Sequence, residues 1–142
     1  MNAALNLDRA LAIIDGALAA ARRAGHAPMA VAVLDAGGHL QAMHREDGAT
    51  WFRPEIAQGK AWAALGMGVS SRDLFERAKS NPTFFASLAT KSHGQFIAQT
   101  GAVLVKSADG TALGAVGASG GTGDEDEAIC IAGIRAAGFD VA

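Results

Sequence analysis

Two short apolar runs, each closed by a tight-turn sequence and followed by a returning run, constrain this chain more than any other feature. The first is Pro28-Met29-Ala30-Val31-Ala32-Val33-Leu34, closed by Asp35-Ala36-Gly37-Gly38 and followed by His39 to His44. The second is Ala102 to Lys106, closed by Ser107-Ala108-Asp109-Gly110 and followed by Thr111 to Ala118. Their length, valine content and glycine terminators favour strands over helices, and two strands joined by a tight turn make a hairpin. Hairpins force antiparallel pairing. Gln95 to Ile97 reads as one more short strand.

Helical signals surround the hairpins. Leu7, Leu11, Ile14, Leu18 and Ala21 form one stripe at helical spacing, ending near Gly25 behind Arg22 and Arg23. Ile56 to Gly68 is an Ala-rich helix with Pro54 near its first turn. Ser70 caps a helix running through Lys79, Asn81-Pro82 breaks it, and Phe84 to Leu88 adds one helical turn. Asp124 and Glu127 have capping-box spacing for a last helix with Ala128, Ile131, Ala132 and Ile134 inside, ended by Gly138. Helix, hairpin, helices, hairpin, helix predicts an α+β fold: an antiparallel sheet of about five strands with helices on its faces. At 142 residues this is one domain, 1–142.

Hydrophobic residues are 50% of the chain and charged residues 18%, which excludes a disordered polyelectrolyte. Alanine alone contributes 33 residues, so the core is closely packed and modest in energy, and self-association into a homo-oligomer is the expected supplement. A net charge of −2 offers no global field for nucleic acid or an anionic membrane. No apolar stretch approaches the roughly 18 residues of a membrane span. The single cysteine, Cys130, excludes an internal disulfide and a CxxC cluster and fits a reducing compartment. The expectation is a soluble, cytoplasmic protein.

Three segments, in order, resemble the GlcG/HbpS family of haem-binding or haem-degrading domains, related to the C-terminal domain of PduO-type proteins. They are Val31 to Leu40 running on to Arg45-Glu46-Asp47-Gly48-Ala49; Ile56-Ala57 with Lys60-Ala61; and Gly114 to Gly121 with Asp124-Glu125-Asp126-Glu127. His93-Gly94-Gln95-Phe96 before Gly101 resembles one branch of that family, with Ala102 where the branch has a second glycine. The resemblance implies a profilin-like α/β sandwich, symmetric oligomers with pockets where subunits meet, haem as a cofactor in some members, and a catabolic accessory setting.

Among groups able to do chemistry, Arg45, Asp47 and Lys60 are the first candidates. An Arg fork suits a carboxylate, such as a haem propionate or a small organic acid, and Lys60 adds a point charge. The plain alternative is a set of surface ion pairs. Ser119 and Gly120 precede the last helix and are candidates for a pocket lining, whereas the Asp124–Glu127 run argues against a phosphate there. Trp51, Phe52 and Trp62 could wall a flat ligand; at its spacing Trp62 reads first as helix core, and Trp51, near Arg45 and Asp47, as a pocket or interface aromatic. Of four histidines, His44 and His93 are the preferred haem ligands; no Cys/His spacing supports zinc, so no metal site is expected. His26 reads as a solvated helix-end cation, and Cys130 as an inert buried thiol. No G-x-S-x-G supports a hydrolase, and the Gly114–Gly120 pattern lacks the βαβ context of a dinucleotide site.

Three functions remain open at this level. One is binding of haem or a similar flat anionic ligand, the family-implied reading. Another is catalysis on a small carboxylate or carbonyl catabolite by Arg45, Asp47 and Lys60. The third is a non-catalytic oligomeric sensor or accessory module.

Overall fold

The structure, a computed structural model, describes residues 4–141. Helix α1 (Leu7–Ala24) is followed by strands β1 (Ala30–Asp35) and β2 (Leu40–Arg45) and helices α2 (Arg53–Met67), α3 (Ser71–Ser80) and α4 (Pro82–Lys91). Strands β3 (Ala102–Lys106) and β4 (Ala112–Ser119), helix α5 (Gly123–Ala136) and strand β5 (Asp140–Val141) complete the chain. The five strands form one antiparallel sheet in the order β2-β1-β4-β3-β5, an α+β architecture as the hairpins required.

Two apolar layers sandwich the sheet. Val31, Val33, Val103, Val105 and Val116 face α1 and α5, while Leu34, Ala102, Leu104 and Ala115 face α2. The alternation follows the two-residue period of a strand. Helix α2 lies close on the sheet because Gly117 lacks a side chain; a Cβ there would run into the Ala57 carbonyl. Helices α1 and α5 cross equally closely at Gly16 and Gly133. That crossing explains why α1 buries Ala10, Ile13, Ile14, Ala17 and Ala21 and leaves Leu7 half-exposed. The small residues, more than the leucine stripe, face inward.

Other details differ from expectation for local reasons. Residues 95–97 form no strand: the 93–97 segment wraps α2, with Ile97 against Gly59 and the Phe96 N–H bonded to Ser92 Oγ at 3.0 Å. The place beside β3 belongs to β5. Pro82 starts a ten-residue α4 rather than a single turn, anchored by Phe85 against Leu74 and Phe96. The cap of α5 is Thr122 with Glu125, not Asp124 with Glu127. The helix therefore turns Asp126, Ile129, Cys130, Gly133 and Ile134 inward, while Ala128 is exposed. The Ala102 methyl packs in the α2-side core beside Ala61 and Leu104.

Candidate functional site

The sequence candidates divide among three places, and α2 separates two of them. Lys60 is 3% exposed and is spent inside the protein. Its Nζ donates to the Asp126 carboxylate and to the Ala118 carbonyl, each at 3.0 Å. The other Asp126 oxygen accepts the Gly121 N–H at 2.9 Å, and Arg53 donates to Ser119 Oγ at 3.3 Å. Burial pushes the Asp126 carboxyl pKa up, against the pull of the Lys60 ammonium. Lys60 and Ser119 thus belong to a buried polar knot joining α2, α5 and the end of β4, beside the half-buried Gly120. Ser119 is 1% exposed, while Gly120 is half-buried with its Cα packed close to the Pro28 carbonyl. Cys130 lies in the same region, and burial first, then Asp126, drives its thiol pKa well above the ordinary value.

Arg45 and Asp47 do not join Lys60. They line an open depression of about 640 Å³ at the outer side of β2, with Leu18, Arg22, Pro28, Met43, His44 and Glu46. Arg22 is paired there with Glu46 at 3.0 Å, and the Arg45 guanidinium donates to the Ala49 carbonyl at 2.7 Å. Two carboxylates offset two guanidiniums, so the depression has no cationic surplus for an anion. The catalytic trio envisaged from sequence does not converge.

The third place is a cleft of about 440 Å³ between α2 and the 93–97 segment, lined by Gly38, Phe52, Glu55, Gln58, Gly59, Trp62, His93, Gly94, Gln95 and Ile97. Each wall has an identifiable origin. Gly59, in mid-helix, lets the segment approach: a Cβ there would lie 2.6 Å from the Ile97 side chain. The β1–β2 turn reaches in through Gly38 (φ 83°), whose Cβ would lie 3.3 Å from Trp62 Nε1. Asp35 fixes that turn by accepting the Gly37 and His39 N–H groups and pairing with the His39 ring at 3.2 Å. His93 has φ 58°, and is the sole non-glycine with positive φ among the described residues. A β-carbon is strained in that conformation, and such strain concentrates at functional sites. Trp51, 77% exposed, is not in the lining but stacks on Phe52 at 5.4 Å, beside the cleft.

The sequence offers His93 as an iron ligand and Trp51, Phe52 and Trp62 as walls for a flat ligand; Phe52 and Trp62 line this cleft, Trp62 also packs against the core as its helical spacing implies, and Gly38 and Gly59 are not among the sequence candidates. Gly59 carried the usable signal, since a glycine inside a helical pattern marks a close approach. His26 pairs with Glu125 at 3.2 Å rather than standing free as a helix-end cation. Among the described residues no group of three or more His, Cys, Asp or Glu is arranged to hold a metal ion, and no helix is long and apolar enough to cross a membrane.

The PduOC–haem complex superposes with a TM-score of 0.85 at 24% identity, covering 96% of this chain and 97% of that one. Klebsiella pneumoniae ORFY gives 0.84 at 21% identity, covering 96% of each chain. HbpS gives 0.79 at 27% identity over 95% of this chain and 91% of its own. Curated protein sequences give no match. The profile of the family described as "Haem degrading protein HbpS-like" matches residues 5–135, nearly the full length, and the chain belongs to that HbpS-like family.

Proposed function

We propose that this protein binds haem in the cleft between α2 and the 93–97 segment, with His93 as the iron ligand. The carrying observation is His93 itself, an imidazole held at φ 58° in a cleft that Phe52 and Trp62 also line. Those residues fit the group. A flat aromatic macrocycle needs apolar walls with room for close approach; Gly94 leaves open space, while Gly38 and Gly59 let the β1–β2 turn and the 93–97 segment close in as walls. A single imidazole suffices as a protein ligand to haem iron. No Lys or Arg is among the lining residues, so the lining offers no cationic partner for the propionates, which would be left to water. Bound haem would supply a redox-active iron; the chain would supply the imidazole and the aromatic walls. HbpS-like membership and the haem complex of PduOC support the reading.

Titration with haemin, followed by Soret absorbance, tests it. Wild type and His44→Ala shift the Soret band alike, whereas His93→Ala weakens binding by roughly tenfold or more. A wild-type band that does not move, or a His93→Ala titration that overlays wild type, overturns the proposal.

A further inference from the structure

We infer, resting on the haem reading for a flat ligand beside His93, that Glu55 sets the charge specificity of that same cleft. The cleft takes a ligand by an uncharged or cationic rim and discriminates against a carboxylate rim. The placement of Glu55 comes from α2. Phe52, Glu55, Gln58, Gly59 and Trp62 all line the cleft, and their spacing puts them on one face of the helix. At about 1.5 Å of rise per residue, Glu55 stands roughly 4.5 Å along the axis from Phe52 and roughly 10.5 Å from Trp62. The carboxylate is interposed between the two aromatic walls. A flat ligand that reaches from one ring to the other passes it.

Glu55 is in none of the ion pairs formed among the described residues. The two cations of α2 are engaged on its other side. Arg53 donates to Ser119 Oγ at 3.3 Å, and Lys60 donates to Asp126 and to the Ala118 carbonyl. Lys91 comes shortly before His93 in the chain but lines a separate groove with Thr83 and Leu88. The charge of the cleft lining is therefore that of one carboxylate.

The other polar groups of the lining are the Gln58 and Gln95 amides, the Trp62 indole N–H and the His93 imidazole. Amides and an indole can donate hydrogen bonds to a ligand carboxylate, yet they leave its charge uncompensated. Two carboxylates brought together in a partly dry cleft repel more strongly than in open water. A porphyrin rim of methyl and vinyl groups meets no such penalty, and aromatic faces beside a carboxylate suit a cationic rim.

The test compares haemin with its dimethyl ester, which keeps the ring and the iron and replaces both propionate charges by neutral esters. Both ligands are titrated at the Soret band, at pH 7 and low ionic strength in one detergent-containing buffer. The proteins are wild type, Glu55→Gln and Glu55→Lys, with circular dichroism as the folding control. Glu55→Gln is expected to bind haemin about two- to fivefold more tightly than wild type, and Glu55→Lys roughly tenfold more tightly. Both variants bind the ester as wild type does, within about twofold. Raising salt to about 0.5 M shrinks the haemin gain. Glu55 also lies in the first turn of α2, where the helix dipole favours a carboxylate. A purely structural role of that kind moves both ligands together. Should Glu55→Lys fail to fold, the near-isosteric Glu55→Gln carries the same comparison. Haemin and ester affinities that change in parallel, or a haemin affinity that Glu55→Gln leaves unchanged or weakens, overturn the inference while the haem reading stands. A wild type that shifts the Soret band of neither ligand overturns both.

Discussion

Consecutive residues of α2 look into opposite worlds. Gly59 opens onto the cleft beside His93, while Lys60 is sealed against Asp126 and the Ala118 carbonyl. The sealed side holds a complete ion pair with no access for a ligand. The open side holds no Lys or Arg but offers an imidazole, aromatic walls and glycines. Charged residue types drew attention to Lys60 in the sequence, yet burial assigns it to architecture. Glu55 is the one carboxylate in the cleft lining.

The largest expected effect breaks the sealed side. Lys60→Met strands the Asp126 carboxylate, and removal of one partner of a buried pair costs about 3–5 kcal/mol, read by urea unfolding at pH 7. The double variant Lys60→Met/Asp126→Leu recovers most of that loss, because the cost lies in the unpaired charge rather than in the missing contact. The pH dependence has a definite sign. Burial already raises the Asp126 pKa, and removing the Lys60 ammonium raises it further. A carboxyl with a raised folded pKa favours the folded state at low pH and loses that advantage as pH rises through the folded value. Lys60→Met is therefore less handicapped toward pH 4–5 than at pH 7. Haemin binding by the folded fraction stays at the wild-type level; a folded single variant with no haemin affinity would merge the two sides into one site.

The two sides were unequally legible in the sequence. The hairpins, the Ser70 cap and the glycine ends of α1 and α2 could be read because each depends on residues a few positions apart. The partner of Lys60 is 66 positions away, and local pattern says nothing about it. Asp126 was hidden further by the start of α5: a cap at Thr122 instead of Asp124 rotates the helix and turns that carboxylate inward. The cleft was half legible. His93 was singled out by its segment, but that segment was read as a strand, since Phe96 and Ile97 have strand composition. In the fold they serve as packing for α2 and α4, and a strand reading cannot place Trp62 in the same cleft. β5 went unseen because two residues leave no periodicity to detect.

A smaller effect sharpens the open side. If His93 is kept in a left-handed conformation for binding, glycine there relieves the strain while removing the imidazole. His93→Gly is expected to raise stability by up to about 1 kcal/mol, reduced in part by the extra freedom of the unfolded chain. Haemin affinity falls at the same time. Thermal unfolding and haemin titration on one preparation make the check, and a variant that loses stability together with affinity would assign His93 to the framework instead.

The smallest effect contrasts an exposed carboxylate with the sealed one. Asp35 holds the turn that carries Gly38 against Trp62, and hydrogen bonds, first from the His39 N–H, keep its pKa below the ordinary 3.8 despite some opposing desolvation. A carboxyl with a lowered folded pKa stabilises above the unfolded value and loses that contribution as pH falls through the folded one. Asp35→Asn keeps an oxygen to accept from Gly37 and His39 and removes only the charge. Its melting temperature should therefore lie slightly below wild type at pH 7, and the gap should close as pH drops below 3.8. Because water screens this group, the gap is far smaller than that of Lys60→Met. A gap of comparable size, or one that widens in acid, would mean that the turn and the knot owe their stability to the same kind of buried charge, and the division along α2 would fail.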